Sequence, residues 1–128
     1  MKNLNKVTLI GRLGKDPEMR YIPSGKAVTS ASFATSRSYK AGEDWKEETE
    51  WHSLELWDKP AESFNEKVKK GDLVFVEGRI KYEQWESEGV KHARTKIVVD
   101  NWILLGSKNG SNGAQPETES TEIPILPE

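Results

Sequence analysis

Cysteine is absent from the 128 residues. This excludes disulfides, thiol nucleophiles and cysteine-ligated zinc. Histidine is nearly absent, with His52 and His92 the only two. Neither stands in a metal-ligand or catalytic-triad pattern, and the carboxylates are scattered through polar stretches. "GRLG" at residues 11–14 is no phosphate loop, because no Gly-Lys-Ser/Thr follows and a strand surrounds it. Glycines there suit a bulge or tight curvature in a barrel strand. An enzyme is therefore the weakest functional class, with no catalytic residue, no metal and no cofactor expected. Long apolar runs are also missing. None approaches the roughly 20 residues that a membrane-crossing helix requires. The N-terminal "MKNLNKVTLIGRLGKD" is interrupted by Thr8, Gly11 and Arg12, with no small-residue cleavage site after it, so it does not read as a signal peptide. The expectation is a soluble, cytoplasmic protein.

Strong net charge is lacking too, but the value of -2 hides an asymmetry. All 19 Lys and Arg lie in residues 1–108 with 17 of the 21 Asp and Glu, which makes that part +2. Residues 109–128 hold Glu117, Glu119, Glu122 and Glu128 and no base. A body at +2 falls short of the basic balance, pI above about 9, that marks many nucleic-acid binders. Any electropositive surface must come from local arrangement. From residue 107 onward the composition is Gly, Ser, Asn, Pro and Glu without an aromatic. It offers too little apolar surface to offset ordering entropy. The expected organisation is one domain over residues 1–106 and a flexible acidic tail over residues 107–128.

The body reads mainly as strands. "KVTLIGRL" alternates Val7, Leu9 and Leu13, while "KAVTSASFATS", "TEWHSLELW", "DLVFVEGRIKY" and "TKIVVDNWILL" are β-prone. A further short strand at "MRYI" lies in a turn-rich region with Pro17, Pro23 and Gly25. One helix is expected in "DKPAESFNEKVKKGD". Asp58 serves as cap, Pro60 sits in the first turn, Ala61, Phe64 and Val68 share a face, Lys69 and Lys70 close the last turn, and Gly71 is C′. Three strands, a helix and two strands describe an all-β, five-stranded OB-fold barrel with one helix between strands 3 and 4. "SRSYKAGEDWKEE" and "EQWESEGVKH" are the two sizeable connections, the second a hairpin tip with Gly89 in its turn.

The aromatics pose the functional question. In "TEWHSLELWDK", residues 49–59, alternation sets His52, Leu54 and Leu56 on one face and Trp51, Ser53, Glu55 and Trp57 on the other. Two tryptophans thus stand on the polar face. Trp85 and Tyr39 fall in the connections, and Arg37, Lys40, Lys59 and Lys81 lie near these aromatics in sequence. Exposed rings interleaved with cations suit a single-stranded nucleic acid, since every base has a π-face and the cations track phosphates. Taken singly, Trp57 serves packing as well as stacking, and Trp102 in "DNWILL" reads as packing. Phe33, Phe64 and Phe75 are core candidates. Trp45, with Glu43, Asp44, Glu47 and Glu48 around it, reads against phosphate contact.

Five segments, "NKVTLIGRLGKDPEMRY", "FATSRSY", "TEWHSLELW", "KKGDLVFVEGRI" and "QWESEG", resemble in order and spacing the bacterial single-stranded DNA-binding protein family. The resemblance covers residues 3 to about 105. It implies an OB-fold that assembles as a homotetramer and binds single-stranded DNA without sequence preference. Its implied service is in replication, recombination and repair at the nucleoid. It assigns base stacking to Tyr39, Trp51, Trp57 and Trp85, and phosphate contact to Arg20, Lys59, Lys70 and Lys81, beside Arg37 and Lys40. It assigns the oligomer interface to His52, with Leu54 and Leu56 on the same face. An acidic end keeping Glu119, Glu122, Ile123 and Pro124 resembles the family's partner-recruiting tip, but departs from it in having Ile125 at the position of the final Phe and Leu126, Pro127 and Glu128 beyond. Glu83 and Gln84 stand where the family commonly has bases. A specialised paralogue and a sugar- or protein-binding OB module remain the alternatives, because aromatic faces also stack on sugar rings.

Overall fold

The computed structural model describes residues 2–107. The tail tip at Ile123, Pro124 and Ile125 lies outside the described residues, as does the rest of the expected tail beyond Ser107. The elements run β1 Val7–Leu13, β2 Glu18–Tyr21, β3 Ala27–Ala41, β4 Asp44–Trp57, α1 Asp58–Lys67, β5 Leu73–Ser87 and β6 Val90–Gly106. The sheet order is β1-β5-β6-β4-β3-β2, and a β1–β3 pairing closes it into a five-stranded barrel with β2 as an added edge strand. All pairings are antiparallel except β4 with β6. This is the expected OB barrel. The short strand at "MRYI" puts the helix between β4 and β5 in chain order.

Alternation decides what fills the barrel. Leu13, Phe33, Leu54, Leu56, Val74, Val76, Ile97 and Val99 point inward, and Ala61, Phe64 and Val68 of the helix segment close one end. Phe64 is fully buried and meets Trp102 edge-on at 5.3 Å, so Trp102 packs against the core. Burying a side chain of this size contributes about 1.5–3 kcal/mol. The Thr29 hydroxyl, also fully buried, donates to the Ala61 carbonyl at 2.8 Å and ties α1 to β3. Phe75 departs from expectation. It lies between the inward Val74 and Val76 and is only half-buried on the barrel exterior.

Several local expectations are corrected. The first connection is not a loop, and the second is the expected hairpin tip with Gly89 in its turn. β3 and β4 continue to a two-residue turn at Gly42 and Glu43, and β5 and β6 continue to one at Glu88 and Gly89. Both Glu88 and Gly89 have positive φ, as a type I′ turn demands, and that turn matches the twist of the strands it joins. Tyr39 and Trp85 therefore sit on strands, in two long hairpin arms. The helix starts at Asp58 itself, with Trp57 as an extended N-cap that makes no side-chain capping bond. It ends at Lys67, with Val68 as C-cap. Lys69, Lys70 and Gly71 belong to a turn in which Asp72 accepts from the Lys69 N–H at 2.8 Å. The Gly71 N–H is directed to the Leu13 carbonyl, tying this turn to β1. Gly11 is not at a bulge. It marks the barrel closure, where a Cβ would lie 2.2 Å from the Ala34 carbonyl oxygen. The register shifts lie between β5 and β6, where Leu105 and Asp100 of β6 are the extra residues opposite Leu73/Val74 and Glu77/Gly78.

Candidate functional site

The β3–β4 register joins Val28 to Trp57, Ser30 to Glu55, Ser32 to Ser53, Ala34 to Trp51 and Lys40 to Trp45. Directly opposed residues of an antiparallel pair share a face. The outer face of this ribbon thus carries Trp45, Trp51 and Trp57 separated by serines, alanine and glutamates. β2 extends one row, since Arg20 opposes Val28. Trp51 is 64% exposed. Its ring lies over Gly14, where a Cβ would come within 2.5 Å of the indole. The bare backbone there leaves room for a flat aromatic. Trp57 is half-buried, and its Nε1–H donates to Glu55 at 3.0 Å.

Glu55 is the unusual member of this face, a carboxylate only 7% exposed. Lys96 of β6 reaches it at 2.6 Å and Glu83 of β5 at 2.9 Å, while Lys81 stands 3.9 Å from Glu83. Burial pushes the Glu55 carboxyl up, but hydrogen bonds from Lys96 and Trp57, with the charges of Lys96 and Lys81, hold it below its ordinary value. Burial pushes the Lys96 ammonium down, and the bonds and charges of Glu55 and Glu83 prevail and raise it. The contribution of Glu55 to stability is therefore complete above pH 4.5 and lost as pH falls through its lower folded value. That of Lys96 is complete below pH 10.5 and lost as pH rises through its higher one.

The network joins the β5–β6 arm to the tryptophan face. Lys81, Glu83 and Trp85 alternate along one side of β5, and their register partners Lys96, Arg94 and His92 share that side. Trp85 stacks on His92 with 5.3 Å between centroids and 18° between planes. The Arg94 guanidinium lies 6.0 Å from the Trp85 centroid. Trp85 still keeps 46% of its surface exposed. A shallow groove of about 180 Å³ at the foot of the arm is lined by Lys15, Arg94 and Lys96 together with Asp16, Glu18 and Glu55.

The residues expected in the site divide. Trp51, Trp57 and Trp85 share the continuous outer face with Arg20, Lys40 and Lys81. Tyr39 falls on the opposite side of its hairpin, across from Lys46. Arg37 lies on that same side, 5.3 Å from the Tyr39 ring centroid and 2.9 Å from Glu48. Lys59 lines a separate groove between α1 and β6 with Glu62, Glu66 and Asp100. Lys70 sits in the turn after the helix, where its N–H donates to Asp16 at 2.8 Å. His52 is half-buried and bonds the Thr35 hydroxyl at 2.9 Å.

The placement of Leu54 and Leu56 at an oligomer interface is corrected. They are 2% and 0% exposed within the single chain, because their face looks into the barrel. The exposed apolar row is elsewhere. Ile10, Phe75 and Ile103 lie side by side across β1, β5 and β6, with Ile10 55% and Ile103 50% exposed.

Lys15, Arg94 and Lys96 were not among the expected site residues. For the latter two a signal exists in the sequence: with the turn at Glu88 and Gly89, counting back along the hairpin sets Arg94 opposite Glu83 and Lys96 opposite Lys81. Lys15 follows β1 and has no comparable local signal.

Known proteins agree with this architecture. A sequence model of the single-strand binding protein family matches residues 4–105. Single-stranded DNA-binding proteins from Neisseria meningitidis serogroups A and B are each 41% identical over 119 residues, 91% of this chain and 68% of theirs. Among solved structures, a Plasmodium falciparum SSB in complex with ssDNA superposes with a TM-score of 0.74 at 28% identity, over 82% of this chain and 97% of that one. A deletion mutant of the single-stranded DNA binding protein from Thermus aquaticus gives 0.72 at 33% identity, over 83% of this chain and 52% of that one. With its match running from the residues before β1 to the end of β6, the chain belongs to the single-strand binding protein family.

Proposed function

We propose that this chain binds single-stranded DNA without regard to base sequence, in the service of replication, recombination and repair, and that it is not an enzyme. The observation that carries this reading is one outer face presenting Trp51, Trp57 and Trp85 with Arg20, Lys81, Arg94 and Lys96 between or beside them. Bases stack on the three indoles and the cations meet the phosphates. Tyr39 with Arg37 offers a second contact on the other side of the β3–β4 hairpin, for a strand that wraps around the arm. Titration of intrinsic tryptophan fluorescence with oligo(dT) at several salt concentrations tests the reading. The expected result is quenching, preference for single strands over duplex, and affinity that falls linearly with salt on logarithmic axes. Salt-independent binding, or displacement by an oligosaccharide and not by an oligonucleotide, favours the sugar-binding module.

The proposed assembly is a homotetramer. The exposed Ile10, Phe75 and Ile103 row supports self-association, and His52 lies outside the barrel core, open to a neighbour. Light scattering at micromolar concentration should give about four times 14.5 kDa. Ile10→Asp should lower that mass, since it places a charge in the apolar row without touching the barrel interior. A monomer that persists across concentration contradicts the assembly. The acidic residues of 109–128 and the Ile123, Pro124 and Ile125 tip are the proposed contact for partner proteins of replication and repair.

A further inference from the structure

Glu83 is a carboxylate held among cations on the face where DNA is proposed to lie. Lys96 is 2.9 Å from it, Lys81 is 3.9 Å away, and Arg94 opposes it across the β5–β6 ladder. Trp85 follows two residues later on the same side of the strand, with Arg94 against its ring. A carboxylate and a phosphodiester present the same kind of anionic oxygens to ammonium and guanidinium groups. The two carboxylates on Lys96 are not equivalent. The Glu55 side chain is 9% exposed, receives the Trp57 indole N–H, and is fixed in the wall of the sheet. The Glu83 side chain is 32% exposed and sits on the solvent side of the same ammonium.

We propose that Glu83 occupies a phosphate seat formed by Lys81, Arg94 and Lys96, and that a phosphate of the bound strand displaces it. The seat is a specific backbone contact beside the Trp85 platform, and Glu83 is its built-in competitor. Binding exchanges one anion for another at these cations, so the affinity gained there is smaller than three cations would otherwise give. Glu55 remains on Lys96 throughout, and this keeps the Trp57 indole in place when Glu83 leaves. The inference rests on the single-strand-binding reading.

Glu83→Gln tests it, with Glu86→Gln as control. Glu86 lies on the same arm, removes the same unit of charge, and points to the other side of β5, opposite Lys91. Oligo(dT) binding by the parent and both variants is followed by anisotropy across a salt series. Glu83→Gln is expected to bind about fivefold tighter at low salt. Its logarithmic salt slope should steepen by up to about 0.7, because the parent makes the same phosphate contact but its displaced Glu83 carboxylate takes up a counterion that offsets the one the phosphate releases. The affinities should converge at high salt, and Glu86→Gln should stay with the parent. A Glu83→Gln protein that behaves like Glu86→Gln overturns the seat and leaves the DNA-binding reading intact. Weaker binding by Glu83→Gln overturns it as well and makes Glu83 a support of the arm. A parent that fails to bind oligo(dT) at all removes the broader reading, and this inference with it.

Discussion

Trp57→Ala is expected to weaken oligo(dT) binding by about 1–3 kcal/mol, roughly 5- to 150-fold, at every salt concentration tested. Stacking on an indole is a contact between π-faces, so its loss leaves the count of released counterions and the salt slope unchanged. Trp85→Ala should cost a similar amount. The two rings sit on different strands, and removing both should approach the sum, about 2–6 kcal/mol, as separate sites do. Anisotropy of a labelled oligonucleotide is the appropriate readout, because the substitutions remove part of the intrinsic fluorescence. Trp57→Phe should recover most of the loss by retaining an aromatic face. The folded state tolerates Trp57→Ala, since Glu55 keeps its ion pair with Lys96 when the indole N–H is gone. If Trp57→Ala binds like the parent, the ring serves packing, and stacking belongs to Trp51 and Trp85 alone.

Lys96→Met should destabilise the fold by about 3–5 kcal/mol at neutral pH. The cost comes from Glu55. Its side chain is 9% exposed and would remain in the sheet with only the Trp57 N–H as donor. Glu83, more exposed, can turn to water. Acid reveals the cause. In the parent the Glu55 carboxyl titrates below its ordinary value of 4.5, so acidification through that lower value removes stabilisation. In Lys96→Met only the Trp57 hydrogen bond and the Lys81 charge still oppose burial, which pushes the same carboxyl up. Protonation then relieves the variant. The difference in Tm should be widest near neutral pH, begin to narrow as pH falls through the variant's raised value, and narrow further below 4.5 as the parent loses its own stabilisation. Adding Glu55→Leu should restore much of the lost stability, because two apolar groups replace an unpaired charge. A Tm difference that stays constant from neutral to acid pH would place the effect in packing by the lysine stem.

The barrel was legible in the sequence because its information is local. Period-two alternation in "TEWHSLELW" and "DLVFVEGRIKY" identifies strands, and Phe64 and Val68 at helical spacing identify the plug. The separation of Trp51 and Trp57 from Leu54 and Leu56 needs nothing more than the alternation of a strand. The resemblance in motif order added the family. The β3–β4 arm was misread as a loop because Gly42 and the charged residues around Trp45 mimic loop composition, whereas the Gly89 turn of the β5–β6 arm was legible, since a two-residue turn needs only a short local signal.

Contacts distant in the chain could not be read this way. Alternation states which residues share a face but not what that face meets, so Leu54 and Leu56 were equally consistent with a neighbouring subunit and with a barrel interior. Closure between β1 and β3, at Gly11, decided for the interior. Tyr39 and Trp51 are both aromatic and near in sequence, yet the odd position of Tyr39 on β3 sends it to the opposite side of the ribbon once the register with Lys46 is set. The buried Glu55 has its cation 41 residues away, on the strand that lies parallel to its own. No local pattern announces Lys96, because a strand's neighbours depend on the path of the whole chain, and the energy of an ion pair depends on the burial that this path creates.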